Sequence, residues 1–383
     1  MDSPILLYDK DNIGGIVWPN SERGTFAKQY LLPLMRQGVN YYIDNIKTEL
    51  YILKVDDQII PVTVNSAEWE NSYVCSPYTH YVTYLLEEIP KLENKKSVAF
   101  LSFLVANIGK ILRNVKFNKV VIVNNWLFST NIYPELSSIQ IQAINDKVLA
   151  HFPDHAILYK SVDSYRSTKL LRALQALGGC AIGSRKVYFW NPALPETKTQ
   201  HARKYFRGDR SVRRDSNYLL SKIEVEDAVN SGRLRELYQY LYLDKYSYYN
   251  PQYNEHFFKL AMETGFLSCY QLQADRIDGV IAFYRLSGML VSPIVGYDTA
   301  VHKERGLYRL LLLQATDLAR QEGLIFHASS GVGEFKKNRG CIGALEYTVV
   351  FTKHLSFSRR LVWLSFSYVV NKIGIPILMK YEL

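Results

Sequence analysis

The chain has 383 residues, 48% of them hydrophobic, and carries 46 Lys and Arg against 36 Asp and Glu, a net charge of +10. This is more apolar material than one core usually needs, so two domains are expected, and the positive balance favours an anionic partner such as a phosphorylated cofactor, nucleic acid or an anionic membrane surface. Cys75, Cys180, Cys269 and Cys341 are too scattered for a zinc site or disulfide framework, no apolar run reaches the length of a membrane span, and MDSPILLYDKDN has no basic leader, so a reducing cytoplasm is the expected setting.

In the first half, Glu49 to Val55 and Gln58 to Val64 are extended runs around an Asp-Asp turn and predict a hairpin. A short strand is expected at Ser72 to Ser76. The apolar positions Phe100, Leu101, Leu104, Val105, Ile108 and Leu112 predict a helix over Ser97 to Leu112, and the Val-Val-Ile-Val content of Lys119 to Val123 predicts a buried strand. Helices follow at Ser137 to Leu149 and Thr168 to Leu177, then a strand at Lys186 to Trp190. Two polar clusters, YVCSPYTHY at Tyr73 to Tyr81 and Asn124-Asn125-Trp126, suit either a cleft lining or a domain seam. No phosphate-cradling loop is visible in this half.

Asn191 to Gln200 has two prolines and no periodicity, as a linker does. The segment after it gathers Arg203, Lys204, Arg207, Arg210, Arg213 and Arg214 around Tyr205 and Phe206. It reads as a solvated basic helix or loop, with RNA binding as the competing reading.

The second half predicts a strand at Tyr218 to Glu224, a helix over Val225 to Leu243, and an antiparallel meander of Phe266 to Gln273, Gly279 to Leu286 and Met289 to Val295. A polar loop from Asp298 to Glu304 leads into a helical run with Leu307, Leu310, Leu311, Ala315, Leu318 and Ala319 on one face, ended by Gly323. An extended run over Leu324 to Ser329 and a loop opened by Gly331 and Gly333 follow. A loop that delivers a helix N-terminus offers unpaired amides and the positive end of the helix dipole to a phosphate. In the tail, Val362, Phe366, Val369, Val370 and Ile373 share a helical face flanked by Arg359, Arg360 and Lys372, which either covers a sheet edge or lies in a membrane interface.

The spacing Lys303, two residues, Gly306, one residue, Tyr308 resembles the acyl-CoA-binding loop of the Gcn5-related N-acetyltransferase (GNAT) superfamily, written Gln or Arg, two residues, Gly, one residue, Gly or Ala. Lys303 and Tyr308 depart from that pattern, and a Tyr at the last position crowds a pyrophosphate. The continuation SSGVGEFKKNRG, followed by LEYTVVFTKHL, is similar to the bacterial FemAB-like and cellulose-biosynthesis-protein-like (BioF2-like) acetyltransferase branch. The resemblance covers Tyr246 to Leu355. It implies an α/β protein of tandem GNAT-like domains, each a mixed, mostly antiparallel central sheet flanked by helices: a degenerate domain over 1–195, an acyltransferase domain over 196–355, and an amphipathic helical tail over 356–383.

The activity implied is transfer of an acyl group, acetyl in the first instance, from acetyl-CoA or another acyl-CoA to an amine on a small molecule or envelope precursor. The FemAB-like use of aminoacyl-tRNA and a non-catalytic binding module are the alternatives. Only the tRNA alternative brings in nucleic acid. Val295, Lys303, Arg305, Gly306, Leu307 and Tyr308 are expected at the cofactor, with no metal. Tyr246, Tyr249, Asn250, Ser329, Ser330, Lys336 and Arg339 are expected at the acceptor. Such transfer needs a held thioester, an amine that loses a proton and a donor for the oxyanion. His327, beside the expected thioester, and Glu346, before an apolar run that would raise its pKa, are the candidate bases, and Tyr347 the candidate proton donor. A satisfied core histidine is the competing reading of His327, and Glu334 reads instead as a partner of Lys336, Lys337 or Arg339. A cytoplasmic protein is expected, peripheral to the inner face of the membrane if the tail helix makes that contact.

Overall fold

The computed structural model describes residues 5–91, 95–224, 230–376 and 379. In chain order the first half runs β1 (Leu6–Tyr8), α1 (Glu22–Gln37), β2 (Glu49–Val55), β3 (Gln58–Asn65), α2 (Tyr84–Glu88), α3 (Lys95–Asn114), β4 (Val120–Val123), α4 (Ser138–His151), β5 (Ala156–Asp163), α5 (Thr168–Ala176) and β6 (Cys180–Trp190). The second half runs α6 (Gln200–Asp215), β7 (Leu219–Lys222), α7 (Ser231–Tyr238), α8 (Glu255–Thr264), β8 (Ser268–Gln273), β9 (Ile277–Leu286), β10 (Met289–Tyr297), α9 (Leu307–Glu322), β11 (Ile325–His327), α10 (Gly333–Lys337), β12 (Ile342–Phe351) and α11 (Phe357–Val369). The start of the helix expected over Val225 to Leu243 lies outside the described residues; the described part, α7, continues through a π-helical turn, Gln239–Asp244.

The chain folds into two compact units that do not follow contiguous boundaries. Unit 1 takes Met1–Ser184, Ser247–Gln252 and Tyr347–Pro376, and unit 2 takes Arg185–Tyr246 and Tyr253–Glu346 together with the C-terminus. This differs from the expected division at 195 and 355. The physical reason is that β6 and β12 each begin in one unit and end in the other, and that Ser247–Gln252 is bound by unit 1. There the Tyr249 carbonyl accepts from Tyr73 N and Ser72 Oγ, and Asn45 Nδ2 donates to the carbonyls of Tyr248 and Asn250.

Within unit 1, β1 to β4 pair in sequence order and antiparallel, and β4 then runs parallel to β5. The parallel step is possible because α4 supplies the crossover. Ser137 starts α4 in a reciprocal capping box with Gln140. Buried side chains of β2 to β5 and α4, with Val349 and Phe351 of β12, form one core layer. On the second layer, Phe117, Val120, Ile122 and Leu158 meet Trp363 of α11 and Leu112 of α3.

Unit 2 repeats the plan. β7 to β10 form an antiparallel meander, α9 crosses over, and β11 returns parallel to β10. The far edge of β11 pairs antiparallel with the end of β6, Phe326 opposite Trp190 and His327 opposite Phe189. The apolar face of α9 packs on Phe283, Leu290 and Phe326 of the sheet, with Phe206 of α6 in the same cluster.

Two expectations change. Ser72 to Ser76 is a turn leading into a helix, because side chains satisfy its backbone: Asn125 Nδ2 donates to the Val74 carbonyl, and Asn118 Oδ1 accepts from Tyr78 N and Ser76 Oγ. The polar stretch before α6 is also tied down, with Thr197 buried and its hydroxyl donating to the carbonyls of Leu194 and Asn191.

Gly296, near the end of β10, lies against the backbone at the end of α7. A Cβ there would come within 2.5 Å of the Leu237 carbonyl carbon. Backbone cannot swing aside as a side chain does, so Gly296→Ala is expected to destabilise the protein by about 1–3 kcal/mol. Urea unfolding of the variant and the parent checks this.

Candidate functional site

The feature that sets the site apart is the parting of β10 and β11. They pair over only three residues each, Met289 to Val291 against Ile325 to His327. Beyond Val291 the register of β10 on β9 slips at Ser292 and Pro293 before resuming at Ile294. A proline cannot donate to a ladder, and a bulge bends the strand that carries it. β10 therefore runs on to Tyr297 while β11 stops, which leaves the edge of β10 that faced β11 unpaired by a strand among the described residues. Two neighbouring parallel strands thus part at this point.

The residues expected at the cofactor lie at or beside the start of α9. Lys303–Arg305 form a single 3-10 turn, Gly306 follows in the left-handed conformation at φ 67°, and Leu307 begins the helix with no side-chain cap. The backbone alone requires glycine at position 306, since other residues resist that φ. Its open side is not solvent, because a Cβ would lie 3.0 Å from Val212 of α6. Lys303 and Arg305 are exposed, and Val295 is partly buried against the core of α9. The Tyr308 ring packs 5.1 Å from Phe335 and 6.3 Å from Tyr297, and burial raises its hydroxyl pKa. Tyr242 and Tyr246 lie close enough to add to that rise. The residue that departs from the motif is thus packed into an aromatic group beside the helix entrance.

Around the end of β11 lies a buried polar cluster. His327 is almost fully buried, edge-on to Phe189 at 4.6 Å, and its Nδ1 accepts from the Ser329 amide at 3.1 Å. Ser329 reaches back through a positive φ of 58°. Burial, then the charges of Arg185 and Lys336, pushes the imidazole down to about 3. With Nδ1 accepting, the remaining proton is assigned to Nε2, so this side chain is a neutral donor. The observed placement is that of a buried neutral imidazole whose Nδ1 lone pair is already engaged by a backbone amide, where a catalytic base was expected.

Glu346 is also buried, but not in apolar surroundings. Arg185 Nε donates to its Oε1 at 2.8 Å and Nη2 to its Oε2 at 3.2 Å. A two-pronged guanidinium thus occupies both carboxylate oxygens and ties Glu346 into the fold, where apolar surroundings were expected. Tyr347 is adjacent to it on a strand, so the two side chains leave on opposite faces. Tyr347 belongs to unit 1, as do Tyr249 and Asn250, whereas Tyr246 is an exposed residue of unit 2. The buried Asn250 amide donates to the Ser247 carbonyl, within its own turn.

Lys336 is the unusual member. It is 2% exposed, and its Nζ donates to the carbonyls of Ser330 at 2.8 Å and Ser329 at 3.4 Å, 5.4 Å over the Tyr188 ring. Burial lowers it to about 7, while nearby Cys341 is pushed up to about 12 by the same cause. Arg339 serves a different end. Its Nε and Nη2 clasp the Asp209 carboxylate of α6 at 2.6 and 2.8 Å, and Arg309 of α9 adds a third bond at 2.8 Å. Asp209 is 1% exposed. The sequence signal for it is its place on the same helical face as Ala202, Phe206 and Val212. Arg185 and Tyr188 gave no local signal.

No family profile matches the chain, and no curated protein does. Among solved structures it is similar to a conserved protein of unknown function from Bacteroides thetaiotaomicron VPI-5482, at 10% identity over 92% of this chain and 100% of that one, TM-score 0.50. It is also similar to FemX, at 9% identity over 64% of this chain and 83% of that one, TM-score 0.46, and to a tandem GNAT protein from the clavulanic acid biosynthesis pathway, at 8% identity over 91% and 97%, TM-score 0.39. The likeness is one of fold.

Two stability tests follow from the cluster. Asp209→Asn would leave two guanidinium groups without their buried anion, and a loss of about 3–5 kcal/mol is expected in urea unfolding. For Lys336, the folded pKa lies below the unfolded value, so between about 7 and 10.5 the unfolded chain binds more protons and this group's contribution to stability rises with pH. Lys336→Met is expected to stabilise the protein most below that window and to lose its advantage as pH climbs through it, as thermal melts across the range will show.

Proposed function

We propose that unit 2 is an acyltransferase that moves an acyl group from an acyl-CoA thioester to an amine on a small molecule or envelope precursor. The observation that carries this reading is the parting of β10 and β11 next to an uncapped helix start. A diphosphate fits the first-turn amides of α9, with Lys303 and Arg305 beside it. The acyl carbonyl then lies along the unpaired edge of β10, where backbone amides and the Nε2 proton of His327 meet the oxyanion. The amine nitrogen bonds to the carbonyl carbon as the carbon–sulfur bond breaks. Lys336 receives the amine's proton, since a base near neutrality matches the task, and the departing sulfur takes up a proton as thiol.

A second reading, an aminoacyl-tRNA donor, is favoured by α6. Arg203, Arg207, Arg210 and Arg214 follow one another at spacings of four, three and four residues and are all exposed, so they form one cationic stripe along the helix. The bulk of Tyr308 beside the α9 entrance points the same way.

Calorimetry with acetyl-CoA and longer acyl-CoAs tests the first reading. Binding that weakens at least about tenfold in Lys303→Glu/Arg305→Glu, two exposed positions, supports it, while binding of aminoacyl-tRNA that falls steeply with salt selects the second. Silence to both donors leaves a binding module without this chemistry. Under either transferase reading, Lys336→Met is expected to lower kcat by about 10²–10⁴ with little change in KM, and the parent's rate to rise with pH through about 7. A variant as active as the parent would remove Lys336 from the mechanism.

A further inference from the structure

Helices α3 and α11 of unit 1 each have two apolar faces. The inner faces are spent on the core: Leu112 and Trp363 are buried there, with Val105 and Ile108 of α3 and Val362 and Phe366 of α11 packed alongside. The outer faces have no cover among the described residues. On α11 the outer stripe is Phe357, Leu361, Leu364 and Tyr368, exposed by 79, 50, 42 and 67% and spaced by four, three and four residues. On α3 it is Phe100, Phe103, Leu104 and Ile111, exposed by 66, 70, 43 and 54%. The tail stripe expected from sequence mixed the two faces, since Val362, Phe366 and Val370 pack inward while Val369 and Ile373 are exposed.

The two helices are joined at one end. Arg359 at the start of α11 donates to the carbonyls of Val115 and Lys116 just after α3, and Phe117 stacks on Trp363 at 3.8 Å.

Charge identifies what covers these stripes. Residues 95–119 and 353–380 together contain eleven Lys and Arg and no Asp or Glu, leaving 35 basic and 36 acidic residues in all the rest of the chain. The whole positive excess of the protein therefore sits in the segments that carry the exposed apolar stripes. Not every one of these charges is free, since Lys119 pairs with Asp154 and Arg359 serves backbone carbonyls. A second copy of the same surface would bring like charges together, and RNA offers phosphates but no apolar layer. An anionic bilayer offers both. No described helix is long and apolar enough to cross a membrane, so the contact is one of lying on the surface.

We propose that the outer faces of α3 and α11 form a docking surface for an anionic lipid membrane. This does not rest on the reaction proposed for unit 2. The test is flotation of the full chain with vesicles of phosphatidylcholine alone or mixed equally with phosphatidylglycerol. Binding is expected to the mixed vesicles, weakened at least about tenfold by Phe103→Ser/Phe357→Ser/Tyr368→Ser and likewise by Lys110→Glu/Arg360→Glu/Lys372→Glu. All six positions are exposed or lie at the rim, so thermal melts should stay at the parent's midpoint, which separates lost docking from lost folding. The proposal is overturned if the parent does not float with the mixed vesicles, or if the serine variant floats as well as the parent. It is equally overturned if the serine changes abolish only a dimer seen in sedimentation, in which case a second copy is the occupant.

Discussion

The buried carboxylate of Asp209 is the constraint on which the geometry of unit 2 turns. One anion, almost wholly removed from water, takes two bonds from Arg339 and one from Arg309. An isolated charge in that position would cost several kcal/mol, so the three elements that meet there cannot separate without exposing or orphaning it. α6 is thereby held to the first turns of α9, and the turn after α10 is held to α6. The placement of Val212 against Gly306 and the closeness of Phe335 to Tyr308 are consequences. The entrance of α9 is shaped by a clamp several side chains away from it.

Beside that clamp the same logic sorts the titratable groups. Glu346, His327 and Lys336 are all buried, yet their partners give them different characters. Glu346 has an arginine and is held as an anion. His327 has a backbone amide on Nδ1 and like charges around it, and is held neutral. Lys336 has two carbonyls and no carboxylate, so burial is not compensated and its proton is loosened. Perturbed groups of this kind concentrate where chemistry is done, and this one stands at the end of the strand that parts from its neighbour.

Unit 1 shows another use of amphipathic helices. In α3 and α11 the pattern that builds the core and the pattern left outside are interleaved on one sequence, which is why the helical period alone gives a single blurred stripe. Burial separates them. The charge distribution then accounts for the net +10 of the chain without recourse to the candidate site of unit 2, where arginines are matched by Asp209 and Glu346.

Periodicity, turn chemistry and capping are local, and the sequence by itself was sufficient for them: the β2–β3 hairpin, the Ser137-capped α4, the meander of β8 to β10, the helix ended by Gly323, and the strand–loop–helix–strand order around Gly306. What the sequence left open depended on contacts between residues far apart in the chain. Arg185 reaches Glu346, Asp209 reaches Arg339, and Asn45 captures the turn at Asn250, none of which leaves a trace in spacing. Whether a histidine is base or donor, a carboxylate free or clasped, and an apolar stripe core or surface is settled by which groups replace water around it. Only the tertiary structure supplies those groups.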